Sequence, residues 1–568
     1  MLLWQGLAVL ILSNWVQELS GFVTVPSPLR AGGNAMSSAA AVDTVDATAS
    51  IDATSAVEPA PPIVWTIAGS DSGGGAGIQA DLHAMHALGA HGCSVITAMT
   101  AQNSHSVTHV EYASVEMIRA TIAALESDLP PAAVKLGMMG TDAVVSVVGE
   151  FLDGYEGKVV CDPVMISTSG SRLMAEGAQA RMVERVFPRA TMITPNLVEA
   201  EALVGRPLRT PRDVEAGAAE LLASSGAGGV LIKGGHAEQG EEEGGAAASK
   251  GRARYSQDYW TDGTPLGSFW LTAPRSDSSN THGTGCTLSS AAAACLARGL
   301  DPADAIVIAK AYVTQGIRAA RRLGQGPGPV AQTAWPSSVD CFPWATATAE
   351  GGASERPEAF PRCHDDWGLY PVVETAEWVE TLLSLGVGDI QLRVKGASPE
   401  ALDAEVAKAA QACRAAGGRL WVNDFWQAAV RHGTYGVHLG QEDLEAGGGE
   451  ALVAIAAAGL RLGVSTHSYL ELARATAARP SYISLGPVFE TSSKKVAFSP
   501  RGAVLVRAWR ALIDVPLIAI GGISLETAPE VLDAGADSIA VISAITKADD
   551  VGEAVRKWSA LFKGKGSE

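Results

Sequence analysis

Apolar runs alternate with polar segments in two stretches of the chain, and the two alternations differ. Between residues 63 and 323 the runs IVWTIA, SVITAM, VVCDPV, MITPN and VLIKGG have strand length and β-branched content, and Ala and Leu recur at helical spacing between them. That alternation predicts an α/β sandwich. From 368 to 562 the pattern tightens to eight short apolar runs: GLYPVV, DIQLRVK, RLWVND, GVHLGQ, RLGVSTH, YISLGPVF, PLIAIGG and SIAVISAI. Helix-length segments separate most of them, in about the smallest length that a closed (β/α)8 barrel allows. The expected fold class is therefore α/β, a sandwich followed by a TIM barrel.

Three segments break these patterns. Residues 1–62 begin apolar from Leu7 to Leu12, continue rich in Ser, Ala, Thr and Asp, and end in Pro59, Pro61 and Pro62. They read as a leader or a disordered arm. Residues 324–367 combine Pro, Gly and Ser without periodicity and read as an interdomain linker. From Glu238 to Arg254 the chain is acidic, then basic, which reads as a solvated insertion.

Composition narrows the function classes. With 568 residues, 47% hydrophobic and 18% charged, the chain has room for two to four domains. Its 42 Lys and Arg against 61 Asp and Glu give a net charge of -19, which disfavours nucleic acid and anionic lipid as partners. Phosphate binding must then come from local loops. The seven cysteines are scattered, without a CxxC pair or a His cluster at zinc spacing, which predicts a reducing compartment and no structural metal. No run of 18 apolar residues suggests a membrane span. Nothing in the sequence sets the oligomeric state, so a homo-oligomer stays open.

Two glycine loops carry the candidate chemistry of the first stretch. The first, AGSDSGGGAGIQADL, contains a loose dinucleotide pattern from Gly75 to Ala80, but no acidic residue lies between Asp81 and Glu111 to hold a ribose. The second, Asn280 to Thr287, opens directly into LSSAAAACLA. Backbone N–H groups there converge at a helix start, where a transferring phosphoryl group could rest. The same field is expected to favour the thiolate of Cys286. Asp162, Asn196, Glu199 and Lys233 fall at strand ends, where carboxylates can hold Mg²⁺ and a lysine can neutralise nucleotide phosphates. Each alone reads better as a cap or a turn residue; their joint order carries the signal.

AGSDSGGGAGIQADL, VITAMTAQNS, KLGMMG, CDPVM, ITPNLVEAEAL, LIKGGH and NTHGTGCTLSSA, spread over about 63–325, resemble the hydroxymethylpyrimidine and phosphomethylpyrimidine kinases of the ribokinase superfamily. The resemblance implies a ribokinase-like sandwich, ATP as substrate with Mg²⁺, and a pyrimidine pocket at Gly69, Asp81, Gln102, Met138 and Val164. It also implies that Cys286 helps to activate the substrate hydroxyl while amides from Gly283 through Gly285 to Cys286 form an anion hole. Sugar kinases and vitamin B6 kinases carry Asp at that cysteine.

In the second stretch polar residues gather at the strand ends, where barrel chemistry sits. Strand two ends in Gln391, Arg393 and Lys395, strand three in Asn423 and Asp424, strand four in His438, Gln441 and Asp443, and strand five in Ser465 and His467. Strand six leads to Thr491, Ser493 and Lys494, strand seven to Gly521 and Gly522, and strand eight to Ile542 and Ser543. Asp424 and Asp443 suit one Mg²⁺, while Arg393, Lys395 and Lys494 supply charge for a diphosphate. The glycines after strand seven allow a second phosphate close to the backbone. For His438 and Glu442 ordinary loop polarity is the better reading.

QLRVK, WVNDFW, YGVHLGQEDL, LGVSTHS, LGPVFETSSK, IAIGGIS and AVISAI resemble thiamine-phosphate synthase over nearly all of 368–562. The resemblance implies that Mg²⁺ on Asp424 and Asp443 helps pyrophosphate leave the pyrimidine, and that the thiazole nitrogen of a thiazole phosphate captures the resulting carbocation. Where that family shows Pro-Thr-x-Thr-Lys, this chain has Glu490-Thr491-Ser492-Ser493-Lys494, which keeps the hydroxyl at Ser493 and adds a negative charge beside a phosphate loop. Plant versions of this fusion imply a plastid address for residues 1–62; the alternative is a cytoplasmic protein. Two rival readings are a B6-type or sugar kinase joined to a phosphate-isomerase barrel, and a fusion with one non-catalytic sensing half. Cys286 and the paired Asp424 and Asp443 count against the first. Against the second stands the occupation of every matched polar position.

Overall fold

Strands that are buried on both faces read as continuous apolar runs, and this is how the first half is built. The computed structural model describes residues 60–165, 173–175, 177–234, 254–264, 267–353, 357–446, 448–490 and 502–563. Residues 1–59 of the leader and all but Arg254 of the segment read as an insertion lie outside the described residues.

Among the described residues ten strands form one sheet: β1 (Ile63–Asp71), β2 (His91–Gln102), β3 (Val107–Tyr112), β4 (Ala133–Leu136), β5 (Lys158–Cys161), β6 (Met192–Ile193), β7 (Val230–Lys233), β8 (Tyr255–Thr261), β9 (Ser268–Pro274) and β10 (Trp344–Thr346). Their order is β10-β9-β8-β7-β6-β5-β4-β1-β2-β3. The middle of the sheet is parallel, and antiparallel strands finish both edges. Val64, Trp65, Ile67, Val134, Leu136 and Val160 of the parallel strands are fully buried between helices on both faces. The helix Thr284–Ala297 lies against β4 and β5, and its run Ala291–Ala294 is wholly buried, since small side chains let it approach the sheet closely. This approach brings the second glycine loop to the strand ends.

Five strands, β3, β4, β8, β9 and β10, were not among the runs read as strands. β3 (VTHVEY) is polar because it is the edge strand and open to solvent, whereas β8 (YSQDYWT), third from the other edge, keeps a buried Asp258 by pairing it with Lys310. β4 is only four residues long and carries Lys135 in its middle.

The second half is a closed barrel of β11 (Leu369–Val373), β12 (Asp389–Leu392), β13 (Arg419–Asn423), β14 (Gly436–Leu439), β15 (Arg461–Thr466), β16 (Tyr482–Leu485), β17 (Leu517–Ile520) and β18 (Ser538–Val541). Every neighbouring pair is parallel, and β18 returns to β11 with Leu369 opposite Ile539. These are the eight runs expected from the sequence. Tyr370, Trp421, Tyr482 and Ile518 fill the interior, and Trp367 stacks on Trp421 at 6.3 Å just before the first strand begins. Among the described residues no helix is long and apolar enough to cross a membrane.

Residues 324–367 differ from a plain connector. β10 extends the first sheet, with Ala345 opposite Leu271, and Phe342 and Trp344 are buried there. Farther on, Phe360 is buried, and its N–H donates to the Arg479 carbonyl at 3.1 Å. The segment shows no periodicity because a three-residue strand is too short to display any, and each docked aromatic fills its own gap.

Candidate active sites

The first site grows from two tight loops. Asp71 ends β1, and its carboxylate accepts hydrogen bonds from the N–H groups of Gly73 at 2.8 Å, Gly75 at 3.1 Å and Ala76 at 2.8 Å. This closes the first glycine loop onto the helix Gly77–Ala87. His282 of the second loop places Nε2 at 3.0 Å from the same carboxylate and 3.3 Å from Gln102 Nε2. Burial raises the Asp71 carboxyl, but the bond to His282 and the loop amides outweigh it and hold the group below its ordinary value. Gly283 has φ of +79° and its missing side chain would run into the Gly75 carbonyl, so the two loops can touch only with glycine there.

The loops border a cavity of about 880 Å³. Of the residues singled out from the sequence, Gly69, Gln102, Met138, Val164, Asp162, Asn196, Glu199, Lys233, Gly283, Gly285 and Cys286 line it. Gly69 faces the Met138 sulfur at 3.1 Å from where a Cβ would stand, and Gly285 likewise faces Lys233 Nζ at 3.3 Å and Asp162 at 3.4 Å. Lys233 donates to Asp162 at 2.7 Å. Burial alone would lower the Lys233 ammonium, but Asp162 and Glu199 reverse that, and it stays charged. Asn196 and Glu199 cap the helix Leu197–Val204 reciprocally, and burial pushes the Glu199 carboxyl up to about 7 against the pull of Lys233.

Two expectations need correction. Asp81 does not line the cavity: it is fully buried beneath it, accepting from Thr66 Oγ1 at 2.6 Å, Ser290 Oγ at 2.7 Å and Lys135 Nζ at 2.8 Å. The thiol of Cys286 is not turned into a thiolate by the helix field. Burial pushes it up to about 11, with the neighbouring Lys135 only partly offsetting, so it is protonated at neutral pH.

Sequence reasoning missed Asp71, Lys135 and His282. A carboxylate just before a glycine run is a turn-capping signal, and a lone lysine in an apolar strand must have a partner, so both were in principle readable.

In the barrel the polar strand ends converge less completely. Asp424 follows β13 with φ of +66°, its N–H donating to the His438 carbonyl at 2.9 Å. Burial, then the Asp443 carboxyl with which it shares a hydrogen bond, pushes Asp424 up to about 6, while Arg393 pulls it down. The two carboxylates and Arg393 are thus neighbours. Asn423, at 7% exposure, is the last residue of β13, and its side chain hydrogen-bonds the Asp424 carboxyl. Lys395 is solvent-exposed and paired with Glu374 at 2.6 Å, which leaves it on the rim.

Gln391 points into the barrel core and donates to Tyr370 Oη at 3.2 Å. From there a chain of polar contacts runs through Tyr482 Oη at 2.9 Å to His438 Nδ1 at 2.7 Å and on to Ser465 Oγ at 2.8 Å from His438 Nε2. Burial, with Arg393 and His467 adding, holds His438 down at about 3, so it is a neutral link that fixes Ser465. Gly521 and Gly522 have φ of +97° and +67°, and side chains there would strike Pro487 and the backbone of Phe489 and Glu490. Contact with the neighbouring loop is therefore reason enough for both glycines. Ile542 packs beside the interior aromatics, and Ser543 opens a short helix. Thr491, Ser493 and Lys494 lie outside the described residues.

Among the described residues no group of three or more His, Cys, Asp and Glu converges as a metal cage. The oxygen pairs Asp424 with Asp443 and Asp162 with Glu199 nevertheless match what a hard cation takes when phosphates complete its shell.

Comparison with known proteins separates the halves along the same lines. The profile of the family "Phosphomethylpyrimidine kinase" matches residues 71–331, and that of "Thiamine monophosphate synthase" matches residues 369–545. The hydroxymethylpyrimidine/phosphomethylpyrimidine kinase of Rhizobium meliloti is 44% identical over 270 residues, 47% of this chain and 96% of that protein. The thiamine-phosphate synthase of Salmonella paratyphi A is 51% identical over 210 residues, 37% of this chain and 98% of that protein. The chain belongs to both families. A solved pyridoxal kinase from Staphylococcus aureus is 31% identical with a TM-score of 0.43, over 49% of this chain and 95% of that one. Kinase and synthase are fused here, with the cysteine loop in one cavity and the paired aspartates at the mouth of the barrel.

Proposed function

We propose that the kinase half phosphorylates hydroxymethylpyrimidine on its alcohol and then phosphorylates the monophosphate, both with ATP, and that the synthase half joins the diphosphate to hydroxyethylthiazole phosphate. The products are thiamine phosphate and pyrophosphate. The observation that supports this best is that one cavity gathers the pyrimidine-pocket positions Gly69, Gln102, Met138 and Val164 with Lys233 and the Gly283–Cys286 loop. In this reading residues 63–323 are the kinase unit and 368–562 the synthase unit. The partners are small molecules, as the acidic net charge of -19 favours.

In the kinase half, Lys233 balances charge on the transferring phosphoryl group while the amides of Gly283, Gly285 and Cys286 receive its oxygens. Cys286, whose amide closes that loop, takes the proton of the attacking hydroxyl through the small fraction of its thiol that is ionised. In the synthase half, Arg393 sits next to Asp424 to meet the departing pyrophosphate, and Ser465, held by His438, contacts substrate. Mg²⁺, held by Asp424 and Asp443 here and by Asp162 and Glu199 in the kinase, would supply positive charge against phosphate oxygens when bound. Residues 1–62 carry a plastid address in this reading.

Supplying the alcohol and Mg-ATP without thiazole phosphate tests the two kinase steps. The expected result is two ADP released per pyrimidine and accumulation of the diphosphate. One ADP per pyrimidine, or faster turnover of pyridoxal than of the pyrimidine, would contradict the assignment.

A further inference from the structure

The helix Pro302–Ala319 belongs to the kinase half, and its later turns line the kinase cavity through Lys310, Val313, Thr314 and Ile317. Its first turn faces the barrel. Asp304, 8% exposed, turns its carboxylate onto the loop that follows β15. It accepts from the Leu470 N–H at 2.8 Å, and the Tyr469 N–H and Ser468 hydroxyl bond the same carboxylate. The Tyr469 and Leu470 N–H groups are orphan donors at the start of the barrel helix Tyr469–Ala478, whose N-cap side chain, Ser468, accepts from the Glu471 N–H instead.

Synthase residues lie at the end of β15 and in the short link from it to that helix. Ser465 is bonded to His438, its carbonyl accepts from Gln441 Nε2 at 2.6 Å, and the His467 N–H donates to Glu471 at 2.7 Å. A second contact reaches it from outside the barrel: Trp335 packs on Tyr469, and Tyr469 on Trp509 with centroids 4.6 Å apart. Trp509 Nε1 then donates to Thr466 Oγ1 at 3.1 Å.

We propose that Asp304 is a positioning residue for the synthase: the kinase half supplies the carboxylate that holds the His467–Ser468 link, and with it the strand end at Ser465, in its substrate-binding form. This rests on the reading that Ser465 contacts substrate in the synthase half. Without Asp304 the loop donors are left unpaired in a buried interface, and the loop spends time in forms that do not bind. Apparent affinity falls by the fraction of time lost.

The test uses the full chain, with pyrimidine diphosphate and thiazole phosphate supplied directly. Asp304→Ala is expected to raise the synthase KM for one substrate by about tenfold, with kcat changed less. Ser465→Ala should raise the KM for the same substrate, and the double variant should be no worse than Ser465→Ala alone, because Asp304 acts through that loop. Asp304→Asn, whose amide oxygen still accepts from Leu470, should restore much of the loss. Kinase constants in the same preparations should hold within about twofold, and KM does not depend on the folded fraction. Synthase constants of Asp304→Ala equal to wild type, or losses that simply add in the double variant, overturn the inference. An unchanged KM in Ser465→Ala would instead overturn the underlying reading of the loop, and the inference with it.

Discussion

Asp424→Asn and Asp443→Asn are each expected to cut synthase turnover by on the order of a hundredfold or more while ATP-dependent phosphorylation continues unchanged. The two carboxylates share a hydrogen bond beside Arg393, and one of them is pushed up to about 6 by burial and its neighbour. Like charges are held together in this way where a cation is to join them, or where one proton substitutes for it. Asparagine keeps the shape and tolerates the left-handed backbone at Asp424, so the substitution removes charge without disturbing the turn. The chemical step should therefore fall far more than thiazole binding, and pyrimidine diphosphate should accumulate from alcohol and ATP. The sign of the pH dependence follows from the raised carboxyl. Below about pH 6 a proton competes at Asp424, so more Mg²⁺ is needed for the same rate at low pH than at pH 8. Wild-type turnover by both variants across a Mg²⁺ titration would remove the metal site from the account.

Cys286→Ala is expected to slow phosphorylation by on the order of a hundredfold, with synthase turnover of supplied diphosphate untouched. Burial holds the thiol at about 11, so only its small thiolate fraction could take a proton at neutral pH, and that fraction grows tenfold per pH unit. Wild-type kinase rate should accordingly climb between pH 7 and 9, and the alanine variant should lose that slope. Near-full rate in Cys286→Ala would mean that the thiol only fills space. Asp81 is not available as a substitute base, since Thr66, Lys135 and Ser290 already engage its carboxylate beneath the cavity.

The barrel was legible from hydrophobic pattern because parallel strands buried on both faces stay mainly apolar, with polar residues such as Gln391 and His438 too few to break a run, so all eight runs correspond to strands. The first sheet was legible only in its middle. The edge strand β3 carries polar residues on an open face, β8 holds a buried Asp258 against Lys310, and β10 is three residues inside a segment without repeat. For the sites, sequence order brought eleven kinase positions to one cavity, but it could not distinguish a residue that lines a wall from one beneath it, as Asp81 shows. Nor could it weigh burial against a helix dipole at Cys286, where desolvation wins. Lys395 reads as a phosphate ligand until Glu374 is seen beside it. The contact of Asp304 with Leu470 joins positions 166 residues apart, and no local pattern announces it.

One chain is expected to carry the pyrimidine alcohol through to thiamine phosphate. Incubating the purified full-length protein with hydroxymethylpyrimidine, hydroxyethylthiazole phosphate and Mg-ATP, with no other enzyme, measures this directly. The expected product is thiamine phosphate, with two ADP and one pyrophosphate for each molecule formed. Thiamine phosphate formed only when pyrimidine diphosphate is supplied, or only when a separate synthase is added, would contradict it.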